Sequence, residues 1–472
     1  MPNAMSTITT GPRQTTLGVL LRLAVPSVAN TLSLTCMQFV DGWMVSLLDR
    51  HGIGGSVNLA ATFNGGMTAF VPLAFFNGLV GVVSTLASQA TGRRLEDEPA
   101  RYAWQGLWIA AVSGLIFWPL ILALYPLFQL AGHTPPLLTS ETMFASYMLV
   151  AAPLNVAATA LGNFFLGLHK PVHQFTAGLI GNALNLLLDW LLIFGNLGCP
   201  RLNLLGAALA TVVGSAGSLA VLLVVFDSPA YRRRYAGRGI WRPDFGRLWK
   251  LLRIGAPAGV LFADDLLCWT IFTVAWIDHF GSAAAEAQSA VMRYLTLSFM
   301  PAVGLGLAVG ALVGQRIGRG DIAGACEAAG WGFRLSLMWM GLCGLAFWLF
   351  GRPLAELLVA RPGEISLVVQ MLLFAAVFQI FDAMNVVYIS ALRSAGDTLV
   401  PSLVTMGLAW SLCVVGGGAM MHWFAGWGVR GPWAAATLYI CLGGLWNGWR
   451  WKRQAWRRLD VLGERLVPRS AR

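Results

Sequence analysis

Charge is what this sequence has least of. Of its 472 residues 11% are Asp, Glu, Lys or Arg, while 57% are hydrophobic; an ordinary soluble domain carries about 25% charge. No polar stretch is long enough to fold as a soluble catalytic or receptor domain. The seven cysteines are scattered singly and no two have CxxC spacing, so neither a disulfide framework nor a zinc site is implied. A GxxxxGK[ST] phosphate loop is missing, which excludes direct use of ATP by this chain. The first 16 residues are polar and run into a long span with no small-residue cleavage site, so a cleaved signal peptide is not expected.

What fills the chain instead is apolar runs of roughly 20 residues or more, recurring from Leu17 to Gly448. A membrane β-barrel would show strands of about ten residues with alternating polarity. The reading is therefore an all-α polytopic membrane protein with twelve transmembrane helices. The net charge of +11 invites a nucleic-acid partner, but its distribution follows membrane topology. Arg93, Arg94, Arg101, Lys170, Arg316, Arg319 and Arg393 fall in loops after even-numbered spans, and Arg232 to Lys250 crowd the central loop. The basic tail runs from Arg450 to Arg472, whereas the alternate loops are poor in Lys and Arg. The positive-inside rule puts both termini and the central loop in the cytoplasm and makes the lipid bilayer, not nucleic acid, the partner of these charges.

The chain also resembles itself. Leu20-Leu21-Arg22-Leu23-Ala24-Val25-Pro26 recurs as Leu251-Leu252-Arg253-Ile254-Gly255-Ala256-Pro257, Pro72 is echoed by Pro301, and Gln89-Ala90-Thr91-Gly92 by Gln315-Arg316-Ile317-Gly318. Two pseudo-symmetric six-helix bundles follow, related by an axis along the membrane normal because six is even. The expected layout is a cytoplasmic tail 1–16, an N-terminal bundle 17–226, a basic loop 227–250, a C-terminal bundle 251–449 and a basic tail 450–472. A substrate would sit between the bundles near the midplane, with rocking of one against the other.

Against this apolar background five aspartates stand out inside the spans: Asp41, Asp189, Asp264, Asp265 and Asp382. A carboxylate at mid-bilayer costs about 2.5–3.5 kcal/mol on insertion scales, so it is kept where it lines a cavity or binds a cation. Asn185 and Asp189 are four apart and share a helix face, a partial shell for Na+ or a partner for a proton site. Gln38 and Asp41 share a face of the first span, and Thr211 could add a hydroxyl. Asp264 and Asp265 are adjacent, about 100° apart around the helix, so only one can face a given cavity. Arg293, alone in the middle of the eighth span, is the expected ion-pair partner of one of the two. His169 and His173 have i,i+4 spacing but sit beside Pro171 without a third ligand, so no metal site is expected there.

Taken together these residues resemble the multidrug and toxic compound extrusion (MATE) family, NorM-like branch. The carriers are Pro26 with Val40-Asp41, Asn185-Leu186-Leu187-Leu188-Asp189-Trp190, Gly206-Ala207-Ala208-Leu209-Ala210-Thr211, Gly255-Ala256-Pro257 running to Asp265, Gln288, Pro301, Phe378-Gln379-Ile380-Phe381-Asp382, and Leu392-Arg393-Ser394-Ala395-Gly396-Asp397. The resemblance implies an antiporter, not an enzyme, that exports amphipathic, often cationic compounds in exchange for H+ or Na+, acting as a monomer without a cofactor. It implies one cation site in the N-lobe, at Asp41, Asn185, Asp189 and Thr211, and another in the C-lobe, at Asp265 and Asp382, which leaves Asp264 as the expected structural ion-pair partner of Arg293. The family's helix-seven acid is usually Glu where this chain has Asp265. Its helix-ten aromatic is often Tyr where this chain has Phe378. The alternative within the same superfamily is a flippase of a lipid-linked precursor, whose cavity would carry more basic side chains for phosphates.

Overall fold

The computed structural model of the protein describes residues 15–50, 57–133, 135–235, 240–359, 361–459 and 461–462. Most of the 1–16 tail, residues 236–239 of the basic loop and the tail beyond 462 lie outside the described residues. Among the described residues twelve long helices carry the fold: α1 (Thr16–Arg50), α2 (Asn58–Gly92), α3 (Glu98–Leu130), α4 (Pro135–Gly167), α5 (Pro171–Leu192) and α6 (Leu204–Phe226) in the first half. The second half holds α7 (Phe245–Ile271), α8 (Ser282–Gly318), α9 (Ile322–Leu349), α10 (Pro362–Ser394), α11 (Leu399–Trp423) and α12 (Arg430–Arg453). Eleven are long and apolar enough to cross a membrane. The twelfth, α12, is 24 residues long and packs on α10 with Trp, Gly and Ala in place of branched aliphatics.

The ends of these helices follow local chemistry. Pro171 and Pro362 open α5 and α10, where the missing N–H costs nothing. Asp321 caps α9 by accepting from Gly324 N at 2.8 Å. Asp244 caps α7 in the same way, accepting from Arg247 N at 3.0 Å, so this helix starts at Phe245, six residues before the expected 251. Arg247 then ties the cap to α3 through Glu98 Oε2 at 3.1 Å. The basic loop thereby docks on the first bundle, with Gln105 Nε2 donating to Arg242 O at 3.3 Å. Burial of the Asp244 and Asp321 carboxylates is outweighed by these donors, and both are held below the usual carboxylate range, Asp244 first by the Arg247 amide and Asp321 first by the Arg316 guanidinium.

Within each half the helices pack as a bundle, α2 and α3 on α4 and α5 on α6 in the first, α8, α9 and α12 on α10 in the second. The halves meet along α1 with α8 and α2 with α7. These contacts gather in the half of the molecule nearer the two termini. Thr31 Oγ1 donates to Met300 O at 2.9 Å, Gln89 Nε2 to Ser394 O at 2.7 Å, and Thr16 Oγ1 to Glu327 Oε2 at 2.9 Å. The repeated motifs touch each other: a Cβ on Gly92 would lie 2.3 Å from Gln315 O, and one on Gly318 would lie 2.2 Å from Gln89 O. Each glycine thus admits the backbone of its own counterpart in the other half.

Toward the far end the two halves part. The face of α8 that meets Val28 at Gly304 continues upward through Leu297, Arg293, Ser289 and Glu286, at steps of three or four residues, and all four side chains are exposed. On α1, Phe39 lies eleven residues beyond Val28, within about 20° of the same face, and is 66% exposed. We read these exposed stretches of α1 and α8 as the walls of a cleft that is closed on the terminal side by the contacts above and open on the other.

Candidate functional site

Four of the expected residues come together in the first bundle. Asp41 reaches from α1 to α5, where Asn185 and Asp189 are each 1% exposed. The Asp41 and Asp189 carboxyls lie within hydrogen-bond reach of each other. Asn185 fills the gap: with its amide oriented to suit both neighbours, Nδ2 donates to Asp41 Oδ1 at 3.0 Å and Oδ1 accepts from Thr211 N at 3.2 Å. Thr211 contributes to this seam through its backbone, because its hydroxyl donates to Ala207 O at 3.1 Å in its own helix. One turn lower the seam continues with Asn182 Nδ2 donating to Ser33 Oγ at 2.9 Å. Gln38 is exposed on α1 and is not part of it.

The chemistry of this contact is restrictive. Ionised carboxylates only accept, and Asp189 Oδ1 is buried with no donor against it. Two acceptor groups in contact are held together by a proton or by a cation between them. Removing that particle turns an attraction between α1 and α5 into a repulsion.

The second bundle holds its own polar core. Tyr439 OH, on α12, donates to Asp265 Oδ1 at 3.5 Å, and Asp382 accepts from Asn385 within electrostatic range of Asp265. Asn385 Oδ1 is satisfied by Asn447 Nδ2 at 2.8 Å, which leaves the Asn385 amide free to face Asp382. Phe378 lies stacked on Trp433, with ring centroids 6.4 Å apart and planes at 8°. A hydroxyl thus reaches Asp265 from α12, while the ring at 378 is held against Trp433. Sequence reasoning missed Tyr439, because the lateral neighbour of α7 cannot be read from spacing along one helix.

The ion pair expected between Asp264 and Arg293 does not form. Asp264 is 8% exposed and turns toward α11, where Trp410 Nε1 donates to its Oδ1 at 2.7 Å. Arg293 lies on the exposed face of α8. The indole N–H satisfies Oδ1 without bringing a second charge out of water, while Oδ2 is buried with no partner among the described residues. The two histidines also diverge: His169 Nε2 contacts Ala311 O at 3.2 Å across the bundle interface, and His173 Nε2 contacts Tyr231 OH at 2.9 Å.

The MatE family model matches residues 26–191 and 266–416, in both bundles, and takes in Asp41, Asp189 and Asp382. The chain belongs to the MATE family. It is a multi-pass membrane protein of a transporter family, with the fold of that family. A probable multidrug resistance protein NorM of Pseudomonas putida is 28% identical over 461 residues, covering 93% of this chain and 96% of its own. Another, from Mesorhizobium japonicum, is 30% identical over 396 residues, covering 81% and 82%. Among solved structures, a MATE protein in complex with MaL6 superposes with TM-score 0.84 at 17% identity, over 94% of this chain and 98% of that one. A multidrug resistance MATE family transporter in an outward-facing conformation gives 0.82 at 18%, over 94% and 97%.

Proposed function

We propose that this protein is a cation-coupled antiporter that exports amphipathic, predominantly cationic compounds across the plasma membrane, the inner membrane in a bacterium, with both termini cytoplasmic and the monomer as the working unit. The observation that carries the reading is the Asp41–Asp189 contact, made between the helix that lines the cleft and one packed behind it. On this reading the cleft is open to the outside. H+ or Na+ entering from there occupies the contact, draws α1 toward α5 and favours release of the exported compound. Discharge of the ion into the cell lets α1 relax and the cleft reopen inward, with Pro26 as the point where α1 can bend. The multidrug resistance names of the relatives support the substrate class. A flippase of a lipid-linked precursor would need a basic cleft, whereas the exposed face of α8 offers Arg293 together with Glu286.

The test is transport of a fluorescent organic cation by purified protein in liposomes, with a pH gradient and a Na+ gradient imposed separately. The wild type should respond to at least one gradient. Asp41→Asn keeps the shape but holds no exchangeable particle, and should export at the rate of empty liposomes. Undiminished gradient-driven export by Asp41→Asn would falsify the coupling assignment.

A further inference from the structure

Of the seven cysteines two are fully buried, Cys268 on α7 and Cys413 on α11, and they meet. The thiols lie within hydrogen-bond reach of each other, and Cys268 Sγ also donates to Ala409 O, one turn before Cys413, at 3.8 Å. One turn back along both helices Trp410 Nε1 donates to Asp264 Oδ1. Cys268 is four residues after Asp264 and Cys413 is three after Trp410, so the two pairs are successive rungs of one α7–α11 seam. Both helices widen at this level. The stretch Ala409–Gly416 within α11 is π-helical and contains Cys413, and the π-helical Phe272–Ile277, which continues α7, starts one turn after Cys268. Turns of this kind interrupt α-helices most often at sites of function, and here two of them flank one pair of thiols.

We infer that Cys268 and Cys413 are a redox pair, oxidised by a small uncharged peroxide to a disulfide that clamps α11 to α7. One thiol, losing its proton, attacks the O–O bond of hydrogen peroxide; an S–O bond forms, the O–O bond breaks, and water leaves behind a sulfenic acid. The second thiol attacks that sulfur, the S–S bond forms as the S–O bond breaks, and a second water departs. Two electrons pass from the sulfurs to the peroxide, and both thiol protons leave in the two waters. The starting thiols and the disulfide are all neutral, which suits a seam that already holds Asp264 and Asp265. Oxidation onward to a sulfinic acid would add another ionised group there, at a high desolvation cost. The widened turns give the slack needed to draw the sulfurs from contact to the bond length of about 2 Å. Leu267 and Trp410, which flank the pair, are each 42% exposed, so the sulfurs lie one side chain below the surface of the bundle, within reach of an oxidant that crosses membranes. The assignment is independent of what the protein exports.

The experiment exposes the purified full-length protein in lipid nanodiscs to hydrogen peroxide, alkylates the remaining thiols and maps the peptides by mass spectrometry. A peptide linked through Cys268 and Cys413 should appear, and should vanish when the digest is reduced. The oxidised protein should melt several degrees above the reduced one, as expected of a crosslink between two packed helices. Cys413→Ala should give neither the linked peptide nor the rise in melting temperature, whereas Cys441→Ala, at another cysteine of the second bundle, should keep both. Cys36, exposed on α1, reports in the same digest that the oxidant is active. Recovery of Cys268 and Cys413 as free thiols while Cys36 is oxidised would overturn the assignment, as would a linked peptide that forms only after denaturation. A linked peptide formed in the native protein with no change in melting temperature would overturn the clamp.

Discussion

Replacing Gly318 by Ala puts a methyl group into the seal between the bundles. The added carbon would lie 2.2 Å from Gln89 O and 2.9 Å from Gln89 C, both backbone atoms that cannot turn aside. Gly92→Ala is the mirror experiment, with 2.3 Å to Gln315 O. Overpacking of this kind costs about 1–3 kcal/mol, and here the cost falls only on the state in which the terminal side is closed. That energy corresponds to a shift of about 5–150-fold in the equilibrium between the two orientations of the cleft. Gly444→Ala is the control: its carbon would lie 2.2 Å from Phe381 O, but both residues belong to the second bundle and stay together in either orientation. Spin labels at Leu197, between α5 and α6, and at Leu357, on the short helix Gly351–Leu358 between α9 and α10, are both exposed at the open side of opposite bundles and read the separation there in a background with the native cysteines replaced. Gly318→Ala and Gly92→Ala should each move the distance distribution toward shorter values at nearly unchanged melting temperature. Gly444→Ala should lower the melting temperature and leave the distribution in place. If all three only lower the melting temperature, the glycine contact is ordinary packing and the rocking argument fails.

Three further outcomes follow from single side chains. Burial, with Arg319 and Arg316 nearby, pulls the pKa of His169 down to about 4. Its neutral form is favoured in the closed contact, so that contact should weaken as pH falls from about 6.5 toward 4; the spin-label distance should show this, and His169→Gln should abolish the pH response. Asp321→Ala removes the cap of α9 and should cost about 1 kcal/mol of stability. Because the folded-state pKa of Asp321 is depressed, the gap in melting temperature between wild type and variant should be full above about pH 4 and close as pH falls through the lower folded value. Tyr439→Phe deletes the hydroxyl that meets Asp265 and should slow transport without preventing insertion or folding, whereas equal rates in the two proteins would mean that the contact has no part in the cycle.

The spans were legible because about 20 apolar residues in a row have one solution in a bilayer. The early start of α7, at Phe245 where 251 is expected, comes from a cap that Asp244 makes in a charged loop. The Asp41, Asn185 and Asp189 grouping was legible too, since the i,i+4 pair on α5 and a lone acid on α1 are local signals. What pairs sideways was not. Trp410 for Asp264 and Tyr439 for Asp265 come from helices more than a hundred residues away. The error over Arg293 had a remedy in the sequence itself: Glu286, Arg293, Leu297, Met300 and Gly304 form one helical stripe, and that stripe cannot also face Asp264.

Tyr439 has a bearing on how relatives of this chain are compared. Position by position, Phe378 scores as a lost hydroxyl, and a survey restricted to α10 would file this protein among transporters with a drier second bundle. In space the oxygen has changed its address, arriving from α12 while the ring at 378 holds Trp433 in place. Members of the family with Phe at the first position and Tyr at the second should then behave alike.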